Sequence, residues 1–208
     1  MSKKIKFNKQ LLVEGNDDFH FVSAFCVKIK ITENFEIVDC KGIDGLRKEI
    51  PERLKQPNIN TIGIIVDADT DLSHIWLSLK DLLAMQSFIF PENIPQNGLI
   101  LENNDDQKIG IWIMPNNDLM GTLEDFVKLL IPKDDNLKQV VEDTLVSIET
   151  QKFNKYAPKD RQKAFINTWL AWQEESGLPM GRAITQKILS TSNQNAQNFS
   201  DWLTELFN

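Results

Sequence analysis

Apolar and polar residues alternate along the first two-thirds of the chain in a way that predicts strands and helices in turn. Gln10–Val13 is a short apolar run, and Asp18–Lys30 reads as a helix whose Phe19, Val22, Phe25 and Cys26 share one face. Phe35–Cys40 is a second strand, ended by Lys41-Gly42, and Gly45–Lys55 a helix stopped by Pro57. Thr61–Val66 (TIGIIV) is the most continuous apolar run in the sequence, as expected of a strand covered on both faces. A helix over His74–Met85 follows, then strands at Leu99–Glu102 and Lys108–Met114 around the turn Asn103-Asn104-Asp105-Asp106, then a helix over Thr122–Ile131.

From Leu137 onward the pattern is helical throughout, with helices expected at Leu137–Thr150, Asp160–Glu175, Arg182–Ser190 and Phe199–Phe207. The polar, Asn/Gln-rich Ser192–Asn198 reads as a loop, and Trp169 and Trp172, three apart, as core residues on one helix face. The expected fold class is therefore α/β: a mostly parallel central sheet flanked by helices, with an added β-hairpin and a helical C-terminal extension. Residues 1–131 would form the α/β domain and 132–208 the extension packed on it, in one folding unit.

The chain has 208 residues, 41% hydrophobic and 25% charged, enough for a core without disulfides or structural metal. No stretch approaches the roughly 18 apolar residues of a membrane span, so no membrane partner is expected. The opening MSKKIKFNKQ is basic but leads only into LLV before Glu14, which is not a secretory signal. Cys26 and Cys40 fit no CxxC spacing, and with two histidines in the chain they read as reduced thiols of a cytoplasmic protein. A net charge of −7 argues against unaided coating of DNA but leaves room for an acidic site bridged to phosphate by divalent metal.

In parallel α/β sheets ligands bind beyond the carboxyl ends of the strands, so the residues there matter most. The first expected strand leads into Glu14-Gly15-Asn16-Asp17-Asp18, the third into Asp67-Ala68-Asp69-Thr70-Asp71, and the last into Pro115-Asn116-Asn117-Asp118 and then Gly121-Thr122-Leu123-Glu124-Asp125. Carboxylates gathered at one sheet edge repel one another and raise each other's pKa, and a hard cation with oxygen ligands relieves them. Several of these acids also have structural explanations. Asp17 and Asp18 open a helix, Asp71 suits a helix cap, and Thr122-x-x-Asp125 has the form of a capping box. Asn116 and Asn117 suit either a substrate contact or an ordinary turn after Pro115. His20 and His74 stand in helical stretches with no partnered motif.

LLVEGNDD followed by a hydrophobic strand ending in DAD resembles the Toprim domain of topoisomerases, bacterial primases, small RNA-maturation nucleases and OLD-family nucleases. The resemblance covers roughly residues 8–130. It implies a Toprim-like Rossmannoid fold and Mg²⁺-dependent phosphodiester chemistry, with Mn²⁺ able to substitute. Glu14, Asp67 and Asp69 match the family's metal-binding glutamate and DxD; Asp18 and Glu124 match further acids of the OLD type. OLD-type enzymes also use a C-terminal lysine, a place Lys163 takes by position. The implied function is a nuclease in which Asp67, Asp69 and Glu14 hold one metal ion, Asp18 and Glu124 support a second, and Lys163 offsets transition-state charge. The segment KAFINTWLAWQEESGLPMGRAI resembles a bacterial branch of the superfamily for which no activity is implied. No GxxxxGK[ST] loop occurs, so the ATPase part of full OLD proteins has no counterpart here. A topoisomerase would need a catalytic tyrosine, and Tyr156 is the only tyrosine; a primase would need larger flanking domains.

Two alternatives accompany this reading. A non-catalytic Toprim-like regulator or scaffold would bind metal and a protein partner, or a second copy of itself, through the helical tail. A haloacid-dehalogenase-type phosphatase is the weaker alternative, because IIVDADTDL places Asp71 where DxDx[TV] needs Thr or Val. A nuclease should frame its acids with a basic rim to receive nucleic acid. Basic residues gather with aromatics at Lys152, Phe153, Lys155, Tyr156, Lys159, Arg161 and Lys163, which suits either a strand-binding surface or a solvated helix face.

Overall fold

A computed structural model describes residues 7–208; the first six, most of the basic stretch excluded as a secretory signal, lie outside the described residues. The strands are β1 (Lys9–Val13), β2 (Glu36–Asp39), β3 (Thr61–Asp67), β4 (Leu99–Glu102) and β5 (Lys108–Met114). Between and after them run α1 (Asn16–Ile29), α2 (Ile43–Leu54), α3 (Leu72–Leu83), α4 (Leu123–Leu130), α5 (Leu137–Thr150), α6 (Arg161–Ala171), α7 (Met180–Thr185) and α8 (Gln194–Phe207). The sheet order is β2-β1-β3-β5-β4, parallel except for the edge strand β4, which forms an antiparallel hairpin with β5. The fold is thus the expected mixed α/β architecture. No helix among the described residues is long and apolar enough to cross a membrane.

Burial on both faces explains the apolar runs. Alternate residues of each strand serve opposite cores: Leu11, Val13, Ile65, Trp112 and Met114 face one, and Leu12, Ile64, Val66, Ile111 and Ile113 the other. The second core is closed by α2 and α3 through Leu46, Ile50, Ile75, Trp76 and Leu79. The first is larger and aromatic. Phe21 and Phe25 of α1, Phe126 of α4, Phe165 and Trp169 of α6, and Phe199 and Trp202 of α8 all belong to it, so the C-terminal helices share one core with the sheet.

The docking of α8 rests on a feature that hydrophobic patterning does not reveal. Gly63 and Gly110 are register partners on β3 and β5. A Cβ at Gly110 would stand 2.4 Å from Leu206 Cδ2, and one at Gly63 2.6 Å from Leu11 Cδ1 and 3.0 Å from Leu206 Cδ2. The paired glycines form a slot that receives Leu206. Beside it Phe207 stacks on Phe35 with ring centroids 3.8 Å apart, and Trp202 donates from Nε1 to Leu99 O at 3.1 Å.

The helices of the C-terminal part differ most from expectation. Ser192–Asn198 is not a loop: α8 begins at Gln194, because the Asn193 side chain caps it by accepting from Ala196 N at 2.9 Å. Its Gln and Asn side chains then pair one turn apart, Gln194 with Asn198 and Gln197 with Asp201. α7 starts earlier, after Pro179, and stops before Lys187, whose φ of 64° leaves the helical region. α6 ends at Ala171, which moves Trp172 out of register: Trp169 is fully buried, whereas Trp172 is 45% exposed and not core.

Because the slot admits no side chain, Gly110→Ala should lower stability by about 1–3 kcal/mol through overpacking. Leu206→Ala should cost about 2–5 kcal/mol by emptying the same space. Chemical denaturation of the two single variants checks both values. A Gly110→Ala protein as stable as wild type would contradict the slot.

Candidate functional site

The chain leaves β1 through α1 for β2 on one side and leaves β3 through α3 for the β4–β5 hairpin on the other. α1 packs on one face of the sheet and α3 on the opposite face, so the helices that follow β1 and β3 part at this point of the sheet. A crevice opens at such a switch, beyond the carboxyl ends of the strands. Here it is a cleft of about 380 Å³ lined by Asp17, Asp18, Asp67, Asp69, Glu124 and Lys163, together with Asn16, Thr122, Lys159 and Asp160. Glu14, just past the end of β1, is not part of that lining but adjoins it, its Oε2 3.5 Å from Asp67 N. Glu14, Asp18, Asp67, Asp69, Glu124 and Lys163 are therefore neighbours in space despite their spread over 150 residues of sequence.

Each acid has a local anchor. Asp67 Oδ1 accepts from Leu123 N at 3.0 Å, at the N-terminus of α4. Asp18 Oδ2 accepts from Gly15 N at 3.1 Å, while its Oδ1 is buried and has no hydrogen-bond partner among the described residues. Glu124 Oε2 accepts from Thr122 Oγ1 at 2.9 Å. Asp69 adopts φ 50°, a left-handed conformation uncommon outside glycine, and is held there by a bridge in which its N–H donates to Gly121 O at 2.9 Å. Gly121 has φ 138°, and a Cβ on it would stand 2.5 Å from Asp125 Oδ2, so the turn that meets Asp69 needs glycine. Backbone held in such a region at a cleft is a reason to look for function there.

The electrostatics follow from burial and crowding. Asp67 is pushed up to about 9, first by desolvation and then by the charges of Asp18, Glu14, Glu124 and Asp69. Asp18 is pushed up to about 7, again by desolvation first and then by Glu14. Glu14 is raised by burial, an effect partly offset by the Asp67 N–H and by the charge of Arg47. Against this stands Lys163 on α6, whose Nζ lies 3.2 Å from Asp17 Oδ2 and 3.8 Å from Glu124 Oε1. Its hydrogen bond to Asp17 holds the ammonium above its ordinary value.

Several residues have structural roles. Asp71 caps α3 by accepting from His74 N at 2.9 Å, and Asp125 accepts from Thr122 N at 2.9 Å as the capping box predicts. Asn116 Oδ1 accepts from Leu119 N and the buried Asn117 from Ile113 N, so both asparagines brace the turn after β5. The basic group divides. Arg161 is bound to Glu142 and Glu149 of α5, and Glu149 also accepts from Tyr156 OH. Lys128 of α4 joins the same network through Glu142. That network ties α4, α5 and α6 together behind the cleft and so sets Glu124 opposite Lys163. Only Lys159 and Lys163 of the basic group reach the cleft itself. Sequence reasoning missed Arg47 and the α4 amide of Leu123 and gave Asp17 only a structural role at the helix start; the one signal for Arg47 was a basic residue early in the helix that starts from the same sheet edge.

Among the described residues no group of three or more His, Cys, Asp or Glu side chains is arranged to hold a metal ion. The donor set itself is all oxygen, includes the unpartnered Oδ1 of Asp18, and suits a hard divalent cation better than zinc or copper.

Fold and cleft together define a class: an α/β protein with an acidic cleft at the switch point of a mostly parallel sheet. The chain belongs to the family described as "Protein of unknown function (DUF3226)", whose model matches residues 8–208. No match is found among curated proteins. Among solved structures, the C-terminal region of the Xanthomonas campestris pv. campestris OLD protein is 12% identical, with 97% of each chain covered and a TM-score of 0.48. The C-terminal region of the Burkholderia pseudomallei OLD protein is also 12% identical, with 98% of this chain and all of that one covered and a TM-score of 0.48.

A carboxylate whose folded pKa lies above its unfolded value binds its proton more tightly in the native state. Stability is then greatest below the unfolded pKa and falls as pH rises through the folded one. Asp67 and Asp18 should therefore make the protein lose stability between about pH 4 and pH 9. Asp67→Asn removes the larger part of this effect and should raise Tm at pH 8 by a few degrees, about 2–4 °C per kcal/mol for a chain this size. Thermal melts of both proteins from pH 5 to 9 check it. A lower Tm for Asp67→Asn at pH 8 would contradict the electrostatic assignment.

Proposed function

We propose that this protein is a Mg²⁺-dependent phosphodiester hydrolase, a nuclease acting on DNA or RNA through a Toprim-like carboxylate cluster, with Mn²⁺ able to substitute. The observation that carries the reading is the convergence of Glu14, Asp67, Asp69, Asp18 and Glu124 on one cleft together with two lysines. The residues to hold the ion are Asp67, Asp69 and Glu14, with Asp18 and Glu124 in support. Bound there, a divalent cation supplies charge neutralisation for the phosphodiester and acidifies an attacking water.

The chain's own residues do the rest. Asp67 and Asp18 are kept poised by burial, so their charge is expressed when a cation offers a partner. Lys163 would neutralise charge that develops on the phosphoryl oxygens, leaving Asp17 and Glu124 to do so. Lys159 stands beside it, and Arg47 places positive charge on the Glu14 side. Positive charge therefore accompanies the acids, as a site that receives a polyanion requires.

A second reading is a non-catalytic metal- and partner-binding scaffold, with a protein or a second copy of the chain as partner. It is favoured by the local anchors of Asp67, Asp18 and Glu124, whose carboxylates each accept from a protein donor as they stand. The phosphatase reading gains no such support, because Asp71 is used as a helix cap.

Labelled single- and double-stranded DNA and RNA, incubated with Mg²⁺, Mn²⁺ or EDTA, separate these readings. The nuclease reading expects metal-dependent cleavage that falls by about 100-fold or more in Asp67→Ala and Glu14→Ala, and by a comparable factor in Lys163→Met with substrate binding retained. A metal-dependent rise in Tm without cleavage of any substrate would support the scaffold. Cleavage unaffected by the Asp67 and Glu14 substitutions would overturn the site.

A further inference from the structure

Asp17 and Asp18 are neighbours in sequence but stand in different surroundings. Consecutive helical residues point about 100° apart, and at the start of α1 that angle separates the two acids. Asp18 turns inward, is 8% exposed and accepts the capping bond from Gly15 N, whereas the Asp17 side chain is 53% exposed. The helix start is therefore capped without Asp17. Asp17 Oδ2 instead accepts from Lys163 Nζ at 3.2 Å, across 146 residues of sequence. Three consecutive side chains fix the first turn of α6 where this bond can form. Arg161 is bound to α5, Gln162 accepts from Lys128 of α4 at 3.3 Å, and Lys163 extends over the cleft.

Lys163 has two acids within reach, and they are unequal. Glu124 Oε1 stands 3.8 Å from Nζ, beyond hydrogen-bond distance, although Glu124 is only 12% exposed and water screens its charge poorly. Asp17 is nearer and well hydrated. With no acid on the outer side, the ammonium would settle on the more buried carboxylate, where the attraction is stronger. There it would be a competing cation inside the site itself. We infer that Asp17 is a positioning residue: it holds the Lys163 ammonium at the lip of the cleft and off Glu124, and so keeps Glu124 open to a divalent cation. The inference deepens the metal-site reading of the cleft and rests on it.

The test uses the full chain and Mn²⁺ alone, with free Mn²⁺ read by electron paramagnetic resonance at physiological ionic strength, so that remote charges are screened. Lys163→Met, which keeps the length of the side chain without its charge, should bind Mn²⁺ about tenfold more tightly than wild type. Asp17→Ala, at an exposed helical position, should bind it about fivefold more weakly. Asp17→Glu should recover most of that loss. In the Lys163→Met background the loss should shrink to about twofold or less, because Asp17 acts through the ammonium. An equal loss in both backgrounds would mean that Asp17 acts on the ion by its own charge, and would overturn the inference, as would no loss in either. A crystal structure of metal-free Asp17→Ala tests the geometry without any ion. Lys163 Nζ should then lie at hydrogen-bond distance from Glu124 Oε1; Nζ at its wild-type distance, or turned to solvent, would overturn the inference. Wild type that binds no Mn²⁺ would overturn the metal-site reading and this inference with it, whereas binding without the Lys163-dependent loss overturns this inference alone.

Discussion

The repulsion among carboxylates at the ends of β1 and β3 is the constraint on which the rest of the site depends. Asp67 lies at the end of a strand buried on both faces, where its charge has little water to stabilise it, and four other acids act on it in the same direction. Such a group either keeps its proton near neutral pH or forces the strand ends apart. Asp67 keeps its proton up to about pH 9, and the molecule also directs backbone donors at the acids. The amide of Leu123, at the start of α4, meets Asp67, and that of Gly15, at the start of α1, meets Asp18. Helix N-termini are suited to this task because their first amides have no partner within the helix and carry partial positive charge.

The placement of those helix ends is a consequence of packing on the far side of the sheet edge. Phe21 and Phe25 fix α1, and Phe126 fixes α4, in one aromatic core completed by Phe199 and Trp202 of α8. α8 can lie that close only because Gly63 and Gly110 leave a slot across two strands. α6 is set by the bonds of Arg161 to Glu142 and Glu149, with Lys128 of α4 joined to Glu142, and α6 carries Lys163 to the acids. The C-terminal helices are thus part of the cleft's construction, since they complete its wall and supply its lysines.

Much of this was legible in the sequence, for definite reasons. Buried parallel strands are continuous apolar runs, so TIGIIV marked β3 and thereby located Asp67 and Asp69 at its end. Helix caps have local signatures, and Asp71 and Thr122-x-x-Asp125 showed them. What depended on tertiary contact was not legible. The Gly63–Gly110 slot is invisible because a glycine in a strand carries no pattern of its own. The first turn of α8 reads as loop because Asn and Gln resemble loop residues until their pairing one turn apart is seen. Trp172 shared a periodicity with Trp169 but lost the helix that would have made it matter. Which of the clustered basic residues face the acids was likewise set by the ion pairs of Arg161, not by spacing.

The most direct test of the central claim is a pH titration of the aspartate and glutamate side-chain carboxyls followed by carbon-13 NMR. The account expects two aspartates to titrate far above the rest, near pH 7 and pH 9, with assignment to Asp18 and Asp67 by substitution. Magnesium should draw both downward as the cation takes over the compensation. Carboxyls that all titrate in the ordinary range below about pH 5 would contradict it. The strand-end acids would then be independent surface groups and not one site.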